Sequence, residues 1–157
     1  MDEIVLMSAV SKQSAIEFCD TYEKHENKLV HLYGDAAGKA GEKHGHSSDY
    51  TDIEDVLRSK GWKFVRKVKK ANPAIKDRQN SVRAKIKSAD GHISLFVNPV
   101  TAPWCDKGLS QVQLQEGSTF QENQTNKYQH ITTAIGYMID FEYPMTQQLS
   151  RAPIHGA

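Results

Sequence analysis

Along the chain, short apolar runs alternate with stretches in which apolar residues recur at helical spacing. Glu3 to Met7 is a short run that predicts a strand at the very start. Ala15, Ile16, Phe18, Cys19 and Tyr22 then follow a 3.6-residue period with Lys12, Glu17, Asp20 and Glu23 on the other side, which predicts a helix capped by Ser11 and covering a sheet. Leu29 to Tyr33 reads as a buried strand that stops at Gly34 and delivers Asp35 into a glycine-rich loop, Ala36 to Ser48. Ser47 or Ser48 caps the next helix, which buries Ile53, Val56 and Leu57 and ends at Gly61.

Trp62, Phe64, Val65 and Val68 with interleaved basic residues predict a third strand, at an edge where lysines discourage further pairing. Asn72-Pro73 ends it. A helix is expected from Ile75 through Arg78, Val82, Arg83 and Ile86 to the Asp90-Gly91 turn, followed by a fourth strand, Ile93 to Val97. Trp104 to Val112 fits a short helix, whereas Gln115 to Gln129 has no period. Ile131, Ala134, Ile135, Met138 and Ile139 form an apolar stripe that predicts a final helix packed on the sheet. Strand and helix in alternation indicate an α/β fold with a mainly parallel sheet and helical crossovers.

A chain of 157 residues fits one domain with a real core. Hydrophobic content of 38% and charge of 25% exclude wholesale disorder. No run approaches the roughly 20 apolar residues of a membrane helix, and no secretory leader is legible, so a cytoplasmic protein is expected. Cys19 and Cys105 make neither a CxxC motif nor a disulfide framework and read as buried small hydrophobes.

Net charge is only +1, but its distribution is uneven. Lys60, Lys63, Arg66, Lys67, Lys69, Lys70, Lys76, Arg78, Arg83, Lys85 and Lys87 are opposed within their span only by Asp77. One-signed clustering of this kind is the footprint expected for a polyanion, and Lys67, Lys69, Lys70, Lys76, Arg78 and Arg83 are the candidate DNA contacts. Arg78 and Arg83, five residues apart, do not share a helical face.

In open α/β sheets ligands collect at the carboxyl ends of strands, which makes Asp35 the leading candidate for a site near a metal or phosphate, with an ordinary loop carboxylate as the alternative. Gly34, Gly38, Gly41 and Gly45 allow either a phosphate cradle or a surface loop. Gly34 to Ala40 lacks both the spacing and the Ser or Thr of a P-loop. His44 and His46 have no second ligand pair and read as solvated.

Four co-linear segments together resemble the C-terminal nuclease domain of the large terminase subunit of tailed phages, over roughly residues 2–144. They are Leu32-Tyr33-Gly34-Asp35-Ala36-Ala37-Gly38 with the following Ser48-Asp49-Tyr50, Asn72 to Val82, Leu95-Phe96-Val97-Asn98-Pro99, and His130 to Tyr137. The resemblance implies a ribonuclease H-like mixed sheet with helices on both faces, lacking the first strands, over residues 1–144, with 145–157 as a flexible tail. It implies Mg2+ or Mn2+ held by carboxylates, with Asp35 as the second acidic ligand and catalytic residue and His130 near the metals.

The family's first acidic position lies on a strand before those seen here and has no counterpart, and the third falls at Thr133, a degenerate position. Asp140 shares nearly the same helical face but lies about 10 Å further along. A lone carboxylate loses the clustering that favours two metals, so autonomous nuclease activity is not expected. No ATPase motif is present.

The expected role is therefore a piece of the nuclease module of a viral DNA-packaging terminase in the host cytoplasm. Its partners would be double-stranded DNA and the missing N-terminal part, the portal or the small subunit, with no membrane. The alternatives are a non-catalytic module binding DNA or the packaging motor, and an unrelated small nucleotide-binding α/β protein. Unpaired strand edges predict association with itself or with a partner.

Overall fold

A computed structural model describes residues 2–7, 9–39, 47–111 and 127–145. His44, His46, Gly41 and Gly45, nearly all of the aperiodic stretch before the last helix, and the tail beyond Met145 lie outside the described residues. The architecture is mixed α/β, with α1 (Ser11–Thr21), β1 (Leu29–Leu32), a 3-10 turn (Ala36–Lys39), α2 (Asp49–Ser59), β2 (Lys63–Arg66), α3 (Ile75–Ile86), α4 (Pro103–Gln111) and α5 (Gln129–Glu142). Among the described residues the sheet has two strands. β1 pairs in parallel with β2, with Leu29 beside Lys63 and His31 beside Val65, and α2 makes the crossover.

Two apolar clusters hold the chain together. In the first, Ala15 and Cys19 of α1 meet Val56 and Leu57 of α2 and Trp62, over Val30, Leu32 and Phe64 on one face of the sheet. β1 is therefore covered on one side only, and Leu29 and Val65 on the opposite face remain 44% and 43% exposed. In the second, Ile135 and Ile139 of α5 pack with Ala102 and Cys105, and with Val82 of α3 and Leu95 and Val97. The last helix thus lies on α3 and α4, not on the sheet, and Ala134 of its expected stripe is exposed.

Two expected strands do not form. Residues 2–6 have no regular structure; the Glu3 carboxylate instead accepts from Trp104 N at 2.7 Å and Cys105 N at 2.9 Å, capping α4. Residues 93–97 also lack a ladder. Leu95 and Val97 are half-buried and Phe96 is 75% exposed, so the two-residue alternation is kept, while the Ser94 and Leu95 N–H groups both bond to Lys85 O. Alternation records which side is buried; a strand additionally needs a neighbour for its backbone.

Helix ends are largely as expected. Ser48 Oγ accepts from Thr51 N at 3.2 Å, and Gly61 ends α2 with φ 77°. Gly91, with φ 85°, closes the turn after α3. The start of α1 differs: Val10 is the N-cap and its N–H is satisfied by Gln13 Oε1 at 3.1 Å. Ser11 Oγ donates instead to Asp49 Oδ1 at 2.8 Å and links α1 to α2. Both cysteines are buried, and burial pushes the Cys105 thiol up to about 11, as befits packing residues. No described helix is long and apolar enough to cross a membrane.

Candidate functional site

Asp35 stands just beyond β1, at the seam between the two clusters. Its Oδ1 accepts from Ala37 N at 2.6 Å and from Asn72 Nδ2 at 2.7 Å. Asn72 reciprocates, its Oδ1 accepting from Ala36 N at 2.8 Å, so the amide clamps both sides of the turn. The Tyr137 hydroxyl of α5 also donates to the Asp35 carboxylate. Behind it, Arg78 is 4% exposed and stacks on the Tyr137 ring, 4.8 Å from guanidinium carbon to ring centroid. Gly136 makes room for this stack, since a Cβ there would lie 2.9 Å from the Arg78 Cγ and Cδ.

Burial pushes the Asp35 carboxyl up, but the Ala37 N–H, Asn72 and Tyr137 hydrogen bonds and the Arg78 charge outweigh it and hold the pKa below the ordinary value. Burial, reinforced by the Asp35 charge, pushes Tyr137 up against the opposing pull of Arg78. At neutral pH the arrangement is an ionised carboxylate receiving a phenol that is backed by a guanidinium.

The loop glycines serve packing. Tyr50, 6% exposed on α2, donates to Asp35 O at 2.8 Å and lies directly beneath the turn. A Cβ on Gly34 would come within 2.5 Å of the Tyr50 hydroxyl, and one on Gly38 within 2.7 Å of its ring. The space that a phosphate would take beside these two glycines is thus filled by a tyrosine. Burial, with the Asp35 charge adding to it, drives the Tyr50 pKa to about 12.

Other candidate residues are dispersed. Thr133 is half-buried one helical turn before Tyr137, on the same side of α5. His130 is exposed in the first turn of α5, where it lines an apolar groove of about 590 Å³ with Ile4, Trp104 and Ile131. Asp140, 3% exposed, is occupied by Lys69, with Ser81 Oγ 3.5 Å away. Lys67 pairs with Glu142 at 2.7 Å, and Tyr33 donates to the same Oε1 at 2.6 Å. Of the six candidate DNA contacts, Lys67 and Lys69 therefore hold α5 in place and Arg78 is interior, whereas Lys70, Lys76 and Arg83 are exposed.

The donor set around Asp35 does not suit the divalent ions implied by the resemblance. Mg2+ and Mn2+ take oxygen acceptors, but Asp35 faces an N–H, an amide NH2, a phenol O–H and a nearby cation. Among the described residues no three His, Cys, Asp or Glu side chains are grouped to hold a metal. No protein-family model, curated protein or solved structure matches the chain.

Composition and charge do not mark Asn72, Arg78, Tyr50 and Tyr137 as partners of Asp35. Tyr50, Asn72 with Arg78, and Tyr137 each lie in one of the four co-linear segments described above.

Proposed function

We propose that this chain is a nuclease-type module of a viral DNA-packaging terminase large subunit, with a ribonuclease H-like lineage, that engages duplex DNA without cleaving it unaided. One observation carries the reading. Asp35, Asn72 and Tyr137 come from three separate segments of the resemblance, and Asn72 and Tyr137 both hydrogen-bond the Asp35 carboxylate, with Arg78 stacked behind. A chance likeness of isolated segments would have no reason to converge on one carboxylate.

The lack of cleavage follows from chemistry. Two-metal hydrolysis needs several carboxylates around both ions, and here a neutral Thr133 stands at one expected position while Asp140 is bound to Lys69. Asp35 serves as the joint between the β1 turn, the segment before α3, and α5. Partners of the intact family, namely the rest of the large subunit, the small subunit and the portal, belong to the same proposal.

The test uses supercoiled plasmid, the full chain, and Mg2+ or Mn2+. Retarded migration at low salt without nicking is expected, both for the native chain and for Asp35→Asn. Metal-dependent nicking abolished by Asp35→Asn would overturn the non-cleaving assignment, and plasmid migrating freely at all protein concentrations would overturn DNA engagement.

A further inference from the structure

We infer that the outward side of α3, carrying Lys76, Asn80, Arg83 and the following Lys87, is the surface through which this chain contacts the phosphates of duplex DNA; the inference rests on the proposed DNA engagement and gives it a location. Six cations of the basic run are engaged within the fold. Lys60 is tied to Asp20, Arg66 to Glu54, Lys67 to Glu142 and Lys69 to Asp140. Arg78 is buried, and the Lys85 ammonium lies 3.8 Å from the centre of the Tyr143 ring. These six link elements of the fold to one another.

Two exposed cations lie on α3 and a third at its C-terminal end. Steps of about 100° place Lys76, Asn80 and Arg83 within a narrow sector, and Lys87 follows as the C-cap residue with an extended backbone. Lys76, Arg83 and Lys87 are exposed, whereas Arg78 and Ser81, on the opposite side, are buried toward α5. The only carboxylate on α3 is Asp77, so three cations face one anion. Lys76 and Arg83 stand about 10 Å apart along the axis. That span is close to the roughly 12 Å width of a major groove, so both ends of the stripe can meet phosphates while Asn80 reaches between them.

Duplex binding by the full chain is measured by fluorescence anisotropy across a salt series, for the native chain, the triple variant Lys76→Ala/Arg83→Ala/Lys87→Ala, and the control Lys63→Ala/Lys70→Ala. The triple variant should reduce the slope of log affinity against log salt by about 2 to 3, at about 0.9 for each phosphate no longer neutralised, and the control by less. Its melting temperature should stay within about 2 °C of the native value, because these side chains are exposed; if it does not fold, the single change Arg83→Glu supplies the same comparison. A triple variant that binds with the native slope overturns the α3 assignment and leaves the proposed function standing. A native chain that does not bind duplex overturns both. Polyglutamate bound as tightly as duplex would assign the stripe to an acidic protein and overturn the DNA contact.

Discussion

The Arg78 guanidinium lies over the Tyr137 ring at 4.8 Å, and the Tyr137 hydroxyl reaches the Asp35 carboxylate. A buried cation is thereby joined to an exposed anion through an aromatic ring, which adds to the Lys67–Glu142 and Lys69–Asp140 ties between β2 and its following segment and α5. The stack depends on the bare backbone at Gly136, where a methyl group would meet the Arg78 side chain at 2.9 Å. Gly136→Ala should therefore destabilise the chain by about 1–3 kcal/mol, read from the urea midpoint, since the displaced side chain is interior and has little room to move. A native midpoint would mean that the stack can shift without loss.

Asp35 makes stability depend on acidity. Its folded-state pKa is depressed, so its contribution is fully present above the unfolded value near 4 and disappears as pH falls through the lower folded value. Asp35→Asn should destabilise by about 1 kcal/mol at pH 7, a figure kept small because the residue is solvent-exposed, and the gap from the native chain should start to narrow below about pH 4 and vanish once pH passes the depressed folded value. Denaturation curves at pH 7 and pH 3 check this; a gap that widens in acid would contradict the assigned bonds.

Tyr50 occupies the hollow beneath the β1 turn. Gly38→Ala places a methyl 2.7 Å from its ring and should lower stability by about 2 kcal/mol, whereas Tyr50→Phe, which loses the bond to Asp35 O, should cost about 1 kcal/mol. Chemical denaturation of both variants measures the order. If Gly38→Ala proves neutral, the glycine serves something other than the tyrosine.

Lys69 and Lys70 are sequence neighbours with different duties. Lys69→Met strands the buried Asp140 carboxylate with Ser81 alone and should destabilise by about 2 kcal/mol, while Lys70→Met, at an exposed position, should stay within about 0.5 kcal/mol. A double-mutant cycle with Asp140→Asn isolates the pair, and zero coupling would show that Lys69 is merely nearby.

The open face of the sheet carries Leu29, His31 and Val65 without a covering element among the described residues. Concentration-dependent association is expected in sedimentation velocity, reduced by Val65→Lys. A monomer at all concentrations would show that this half-exposed face is tolerated alone.

Local codes were legible where they are self-contained. The stripe of Val56 and Leu57, the Ser48 cap and the Gly61 stop needed only neighbours along the chain, and α2 and the helical crossover to a parallel β2 followed from them. A strand shortly before Asp35 was equally plain, although β1 (Leu29–Leu32) is covered on one face only, and the burial of both cysteines was legible too. Strands at Glu3 to Met7 and Ile93 to Val97 were not decidable in this way, because alternation specifies a buried side and leaves the backbone partner open.

The run of cations illustrates the division most clearly. Sequence determined that positive charge is concentrated between Lys60 and Lys87, and that Asp35 follows a strand at the start of a glycine-rich turn. Tertiary structure alone decided that Lys67, Lys69 and Arg78 turn inward to α5 while Lys76 and Arg83 turn out, and that Asp35 meets hydrogen-bond donors in place of further carboxylates. The reason is physical: periodicity encodes which side of an element is buried, but the partner of a charge is set by contacts between residues as far apart as Lys69 and Asp140, and no local pattern records those.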